Sequence, residues 1–190
     1  MNYIIYGLIL LVVFYLLINY LRKLQWDAVH SNLFDLVDEF GGDVYRRGFL
    51  ARPVFHGTYK NCEVTINFSQ ERVNSKRKNY INISIDKKIN KSITIVSVDW
   101  IKVQNESTEG LEIISMNDSK EYGIRIKNIN NTKKNELKSQ LEKLIPFNYI
   151  YLGQTGLIFE KESNNLGSET KMDSLKPYIE IVHNLSGIFK

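Results

Sequence analysis

From Tyr3 to Leu21 the chain carries no charge, and only Gly7 and Asn19 interrupt a run of Ile, Leu, Val, Phe and Tyr. As a helix rising about 1.5 Å per residue, this stretch spans roughly 28 Å, close to the hydrocarbon thickness of a bilayer. Tyr3, Tyr6 and Tyr20 sit towards its ends, where an amphipathic ring suits the headgroup layer. A cleavable signal peptide needs a basic opening segment and small residues at the cut. Only Met1 and Asn2 precede the run, and Asn19-Tyr20-Leu21-Arg22-Lys23 offers no small pair, so the pattern predicts an uncleaved membrane anchor.

The period then changes without a break. No Gly or Pro occurs between Arg22 and Phe40, and Trp26, Val29, Leu33, Phe34, Val37 and Phe40 recur three and four apart. That spacing predicts an amphipathic helix with one buried face, capped by Gly41-Gly42. A flexible tether would be rich in Gly, Ser or Pro, and none is seen. One long helix, or two abutting ones, should hold the domain near the bilayer.

Beyond Gly42 the alternation is of strand type. Val44–Arg47, Pro53–Tyr59 and Cys62–Phe68 read as short strands, with a turn at Lys60-Asn61. Tyr80–Ile85 places Ile81, Ile83 and Ile85 on one face, and Ile93–Val103 is rich in β-branched residues. Asp99-Trp100 inside that run reads as a turn between two strands. Leu111–Ser115 and Tyr122–Lys127 follow, with polar turns or loops at Ser69–Asn79, Gln104–Gly110 and Asn117–Lys120. A helix is predicted over Lys133–Ile145, with Thr132 as N-cap and Pro146 as stop. A hairpin pairs Tyr149–Leu152 with Leu157–Glu160, and Ser163–Lys171 is a polar excursion. A last helix from Asp173 buries Leu175, Tyr178, Ile179, Val182, Leu185 and Phe189. A run of strands with helices set apart predicts an α+β fold, a largely antiparallel sheet with helices packed on it. The division is residues 1–24 as transmembrane anchor and residues 25–190 as soluble α+β domain.

A helix ending in Gly41-Gly42, then strands carrying Phe55-x-Gly57-x-Tyr59 with Asn61 two places on, resembles a group of uncharacterised bacterial single-pass membrane proteins with a C-terminal α+β domain. The likeness covers residues 33–190. It implies a bacterial membrane-anchored domain and brings no activity with it.

Composition narrows the chemistry. The 190 residues include one cysteine, Cys62, and three histidines, which excludes an intrachain disulfide framework and any multi-cysteine metal site. There is no Gly-rich phosphate loop, no Gly-x-Ser-x-Gly elbow and no His-Glu-x-x-His helix. His56 and Cys62 could face each other across a hairpin as a nucleophile pair, though a small core thiol and a surface histidine are the plainer reading. Glu160 and Glu162 share a strand face and could form a carboxylate pair, though a solvated edge is favoured. The remaining histidines, His30 and His183, lie on two helices. Asn82-Ile83-Ser84 and Asn117-Asp118-Ser119 match glycosylation sequons, as chance allows in an Asn-rich chain. No catalytic residue, cofactor or metal is expected.

Charge distribution gives the functional hint. Residues 43–91 carry eleven Lys and Arg against four Asp and Glu. Arg46, Arg47, Arg72, Lys76, Arg77 and Lys78 are the candidate contacts to an anionic surface. Nucleic acid is not expected, because stacking aromatics are not interleaved with the basic residues of the 72–78 segment. Arg22 and Lys23 follow the apolar run, so the positive-inside rule predicts a cell-membrane, single-pass protein with its C-terminal domain in the cytoplasm. The unpaired Cys62 fits a reducing compartment. Two functions are open. One is a non-enzymatic interaction module that binds a membrane-protein partner or anionic lipid, with the bilayer itself engaged through residues 3–21. The other is a small membrane-tethered enzyme. The missing catalytic motifs favour the first.

Overall fold

A computed structural model describes residues 2–73, 75–104, 107–116, 120–126 and 130–189. Residues 117–119 of the Asn117–Lys120 turn, with its sequon, and parts of the Gln104–Gly110 and Tyr122–Lys127 segments therefore lie outside the described residues.

Helix α1 runs unbroken over Asn2–Phe40, so the apolar run and the amphipathic segment are one rod. Its apolar part, near the N-terminus, is long and apolar enough to cross a membrane, and residues 3–18 are all exposed. From Trp26 onwards one face is buried through Trp26, Val29, Leu33, Leu36 and Phe40. Phe34, expected on that face, is 49% exposed and stacks edge-on with His30; Leu36 takes the buried place instead. The helix ends as Gly41 takes φ +65° and its N–H donates to the Val37 carbonyl (2.8 Å), a left-handed cap.

Nine strands follow among the described residues: β1 Asp43–Tyr45, β2 Val54–Tyr59, β3 Cys62–Val73, β4 Lys76–Ile85, β5 Ile93–Ser97, β6 Glu112–Ser115, β7 Glu121–Arg125, β8 Tyr149–Gly153 and β9 Gly156–Ser163. They form one sheet in the order β1-β2-β3-β4-β9-β8-β5-β7-β6, antiparallel at every pairing. Lys60 and Asn61 both take positive φ, as a two-residue hairpin turn requires. The registers align Phe55, Ile66, Ile83, Phe159, Ile150, Ile95 and Ile124 in one row across seven strands, all buried. Fully burying each such side chain contributes about 1.5–3 kcal/mol. The fold is α+β with a largely antiparallel sheet.

Helices α3 (Asn131–Leu141), α4 (Leu166–Glu169) and α5 (Met172–Leu185), with a 3-10 turn at Ser186–Phe189, join α1 in the helical layer. Several boundaries differ from the sequence reading. Ser69–Asn79 is not a loop: β3 and β4 continue through it as a long hairpin, with Gln70 donating to Asn79 (2.9 Å). Ile93–Val103 is not one strand: Val98–Val103 forms helix α2, and Asp99-Trp100 opens that helix. Asn130, not Thr132, caps α3, its side chain accepting from the Thr132 N–H. The polar excursion over 163–171 contains α4, whose Leu166 is buried.

Candidate functional site

The two ends of the domain are distinguishable by contacts along α1. At its C-terminal end Phe40 meets Tyr59 edge-on, ring centroids 5.6 Å apart. Nearer the apolar run Trp26 meets Phe68 at 5.8 Å. Phe40 to Trp26 is about 21 Å of helix. Tyr59 pairs with Cys62, and Cys62 to Phe68 is about 20 Å of strand. The two lengths match, so β3 runs alongside α1 towards its apolar end. Everything beyond Phe68 on β3, and the segment joining β1 to β2, therefore lies at that end.

The 46–53 segment is fastened there. The Arg46 guanidinium ion-pairs with Asp27 (2.6 Å) and donates to the Ala51 carbonyl (2.9 Å) and to the Phe49 carbonyl. Lys23 approaches the same carboxylate at 3.2 Å. The hydrogen bond from Arg46, then Lys23, holds the Asp27 carboxyl below its usual range. Arg52 donates to the Phe68 carbonyl (3.1 Å). Partial burial, then the charge of Arg22, lowers the Arg52 pKa below its usual value.

The six basic candidates divide by environment. Arg47, Arg72, Lys76 and Arg77 are exposed. Arg72 and Arg77 sit opposite each other near the tip of the β3–β4 hairpin. Arg46 is mostly buried in the contacts above. Lys78 is engaged with Glu162 (2.7 Å) and opposes Glu71. Lys78 looked like its neighbours in the sequence because its partner, Glu162, lies on β9 and far along the chain.

The catalytic candidates do not converge. His56 is level with Thr65 and its Nδ1 lies 3.2 Å from the Thr65 hydroxyl. Cys62 faces the core beside Tyr59, so strand parity puts it on the opposite face from His56. Glu160 and Glu162 share the outer face, but Glu162 already holds Lys78. Burial, then Glu71, raises the Glu160 pKa. Beside them a cleft of about 340 Å³ is lined by Tyr80, Ser97, Trp100, Phe147, Asn148 and Glu162, among others. Burial, then Glu71, Glu162 and Glu160, pushes the Tyr80 phenol up to about 12, so it stays neutral at ordinary pH. The cleft was missed in the sequence because it depends on α2 folding back over β5. Among the described residues no three His, Cys, Asp or Glu side chains converge as a metal site needs.

No family model matches the chain, and no curated protein matches it. A crystal structure of the mycobacterial trehalose monomycolate transport factor A, TtfA, is similar over 83% of this chain and 96% of that one, at 10% identity and a TM-score of 0.44. At that level of likeness the transport role stays with that protein.

Proposed function

We propose that the chain is a single-pass membrane protein in which residues 1–24 anchor a soluble α+β domain, residues 25–190, and that this domain is a non-enzymatic interaction module. Its basic end meets the bilayer surface and binds anionic lipid headgroups, or a membrane-protein partner that presents the same charge. The supporting observation is the shared direction of α1 and β3. Trp26 lies about 8 Å along the helix from Leu21. Val73 lies about 16 Å along the strand from Phe68. The β3–β4 hairpin thus passes the level of Leu21 by about 8 Å at Val73, and the long side chains of Arg72, Lys76 and Arg77 turn back to meet phosphates at that level, as snorkelling basic residues do. Each basic residue at such a surface contributes about 1 kcal/mol. A tethered enzyme draws no support from the separated His56 and Cys62 or from the occupied Glu162.

The test is vesicle binding by a chain starting at Gln25, checked for folding by circular dichroism. It should bind vesicles containing anionic lipid and leave neutral ones. Replacing Arg72, Lys76 and Arg77 by Gln should weaken binding by about 3 kcal/mol at most. Binding should fade as the Debye length falls from about 10 Å at 0.1 M salt to about 3 Å at 1 M. Equal binding to neutral vesicles, or an unaffected triple variant, overturns the lipid reading.

A further inference from the structure

The 46–52 loop carries an unexplained exposed aromatic. Phe49 is 63% exposed, in a loop whose backbone is tied down by Arg46 at the Phe49 carbonyl itself and at the Ala51 carbonyl. The loop folds tightly, with the Ala51 N–H donating to the Gly48 carbonyl (3.0 Å). Arg46 also fixes it to α1 through Asp27, two turns of helix from the last apolar residues. On that stripe of α1, Tyr20, Lys23, Leu24 and Asp27 follow at helical spacing, and Leu24 is 45% exposed. Apolar surface from the loop and from the helix thus continues into the apolar run.

We propose that the 46–52 loop is an interfacial wedge: Phe49 seats in the headgroup–acyl boundary beside the anchor, with Arg22, Arg47 and Arg52 around it facing lipid phosphates. The wedge rests on the reading of α1 as a membrane span and names the part of the basic end that enters the lipid.

The dimensions select the bilayer as occupant. β1 and β2 end at the pair Tyr45 and Val54, Arg52 bonds the Phe68 carbonyl, and Phe68 is level with Trp26. Residues 47–52 therefore lie between that level and Leu21, a gap of about 8 Å. The polar layer on one side of a bilayer is roughly 5–7 Å thick, so the loop occupies the layer that an anchor ending at Leu21 defines. An aromatic ring flanked by guanidinium groups matches its chemistry, because the ring suits the boundary and the cations pair with phosphate. The Arg46 clasp holds the loop in one conformation, so insertion costs little ordering.

The experiment uses the full chain in liposomes, with Cys62→Ala to remove the native thiol. Phe49→Cys carries an environment-sensitive fluorophore, and Gln154→Cys, in the exposed β8–β9 turn at the opposite end, carries the same label in a second sample. The label at 49 should emit at shorter wavelength than the label at 154. Spin-labelled lipids, with the quencher just below the headgroup, should quench 49 and leave 154 unchanged. Because the Arg46 clasp and the anchor, and not anionic lipid, hold the loop at that depth, quenching should persist in neutral vesicles, which separates the wedge from the anionic-lipid reading. Adding Arg46→Gln should reduce quenching at 49. A water-like, unquenched label at 49 in protein that resists carbonate extraction overturns the wedge and spares the anchor. Protein released by carbonate overturns both.

Discussion

The glycines at the end of α1 show how single residues fix the domain to its helix. Gly42 sits opposite Gly57 as β1 begins, at φ +93°. A Cβ there would lie 1.9 Å from the His56 carbonyl oxygen and 2.7 Å from the Gly57 Cα, both backbone atoms that have nowhere to move. Gly57 in turn leaves room for the Phe55 ring and the Gly41 carbonyl. Tyr59 closes the cluster edge-on against Phe40 and His183. Gly42→Ala should destabilise the fold by about 2–3 kcal/mol, through a strained backbone and a forced separation of β1 from β2. Gly48→Ala, which meets nothing within 4 Å, should cost much less. Denaturant unfolding of both variants checks this, and equal losses would remove the clash argument. The five residues Gly41, Gly42, Phe55, Gly57 and Tyr59 were readable in the sequence as a pattern. Their reason was not, because the close approach depends on the β1–β2 register and no local rule sets it.

Elements whose apolar residues repeat over a buried face were legible; elements held by polar contacts were not. Ile81, Ile83 and Ile85 gave away β4 where it crosses the core, but its first residues project past the core as a polar hairpin and so resembled a loop. The run Ile93–Val103 fitted strand and helix alike, and Val98 and Ile101, three apart and both buried, settle its second half as α2. Helix α4 is too short to show a period. It is held by Asn32, which donates to the Gly167 carbonyl (2.7 Å) and the Thr170 hydroxyl (3.0 Å), and by a buried ion pair. Lys161 of β9 is 6% exposed, bonds Glu169 at 2.8 Å and donates to the Tyr178 hydroxyl (3.1 Å), so it joins β9, α4 and α5. Burial opposes both charges. In Lys161 the bonds to Glu169 and Tyr178 outweigh it and raise the pKa above 10.5. In Glu169 the bond from Lys161 and the N–H groups of Asn165 and Asn164 outweigh it and lower the pKa below 4.5. Glu169→Gln strands a buried ammonium and should cost about 3 kcal/mol, and adding Lys161→Met should recover part of it. The signs fix the pH dependence. The lowered carboxylate stabilises fully above pH 4.5 and loses its effect as pH falls through its folded value; the raised ammonium stabilises fully below pH 10.5 and loses its effect as pH rises through its folded value. The gap in melting temperature between wild type and Glu169→Gln should therefore be flat near neutrality and close at both extremes. A gap that stays the same all the way down the acid limb would mean that it does not come from the Glu169 charge.

At the scale of the molecule the unreadable fact was direction. The sequence showed the apolar run, the basic surplus over residues 43–91 and the strands between them, but not which end of each strand points at the bilayer. Ring contacts at Trp26 and Tyr59 supply it, and they gather Arg22, Lys23, Arg46, Arg47 and Arg52 near the end of the apolar run. That gathering bears on orientation. Basic residues in short segments beside a span resist translocation, and Arg22 and Lys23 are the pair that the inserting helix presents. The folded domain adds a second reason, because the cytoplasmic leaflet carries the anionic lipids and a negative surface potential, which a basic end meets favourably. Both arguments predict a cytoplasmic side for residues 25–190, and topology labelling checks it. A cysteine at Asn165 would disturb the α4 cap, whose side chain accepts from the Ser168 N–H, so the probe belongs at Gln154 in the β8–β9 turn. In a bacterial host, full-length Cys62→Ala, Gln154→Cys should escape an impermeant maleimide in intact spheroplasts and react once the inner membrane is permeabilised. Moving the balance by Arg22→Gln and Lys23→Gln should raise the labelled fraction in intact spheroplasts, because the helix beyond the span then carries no Lys or Arg before Phe40 to hold it. Labelling of the unaltered flank in intact spheroplasts would reverse the orientation, and the basic end would then face the outer leaflet, where its lipid partner would have to be sought.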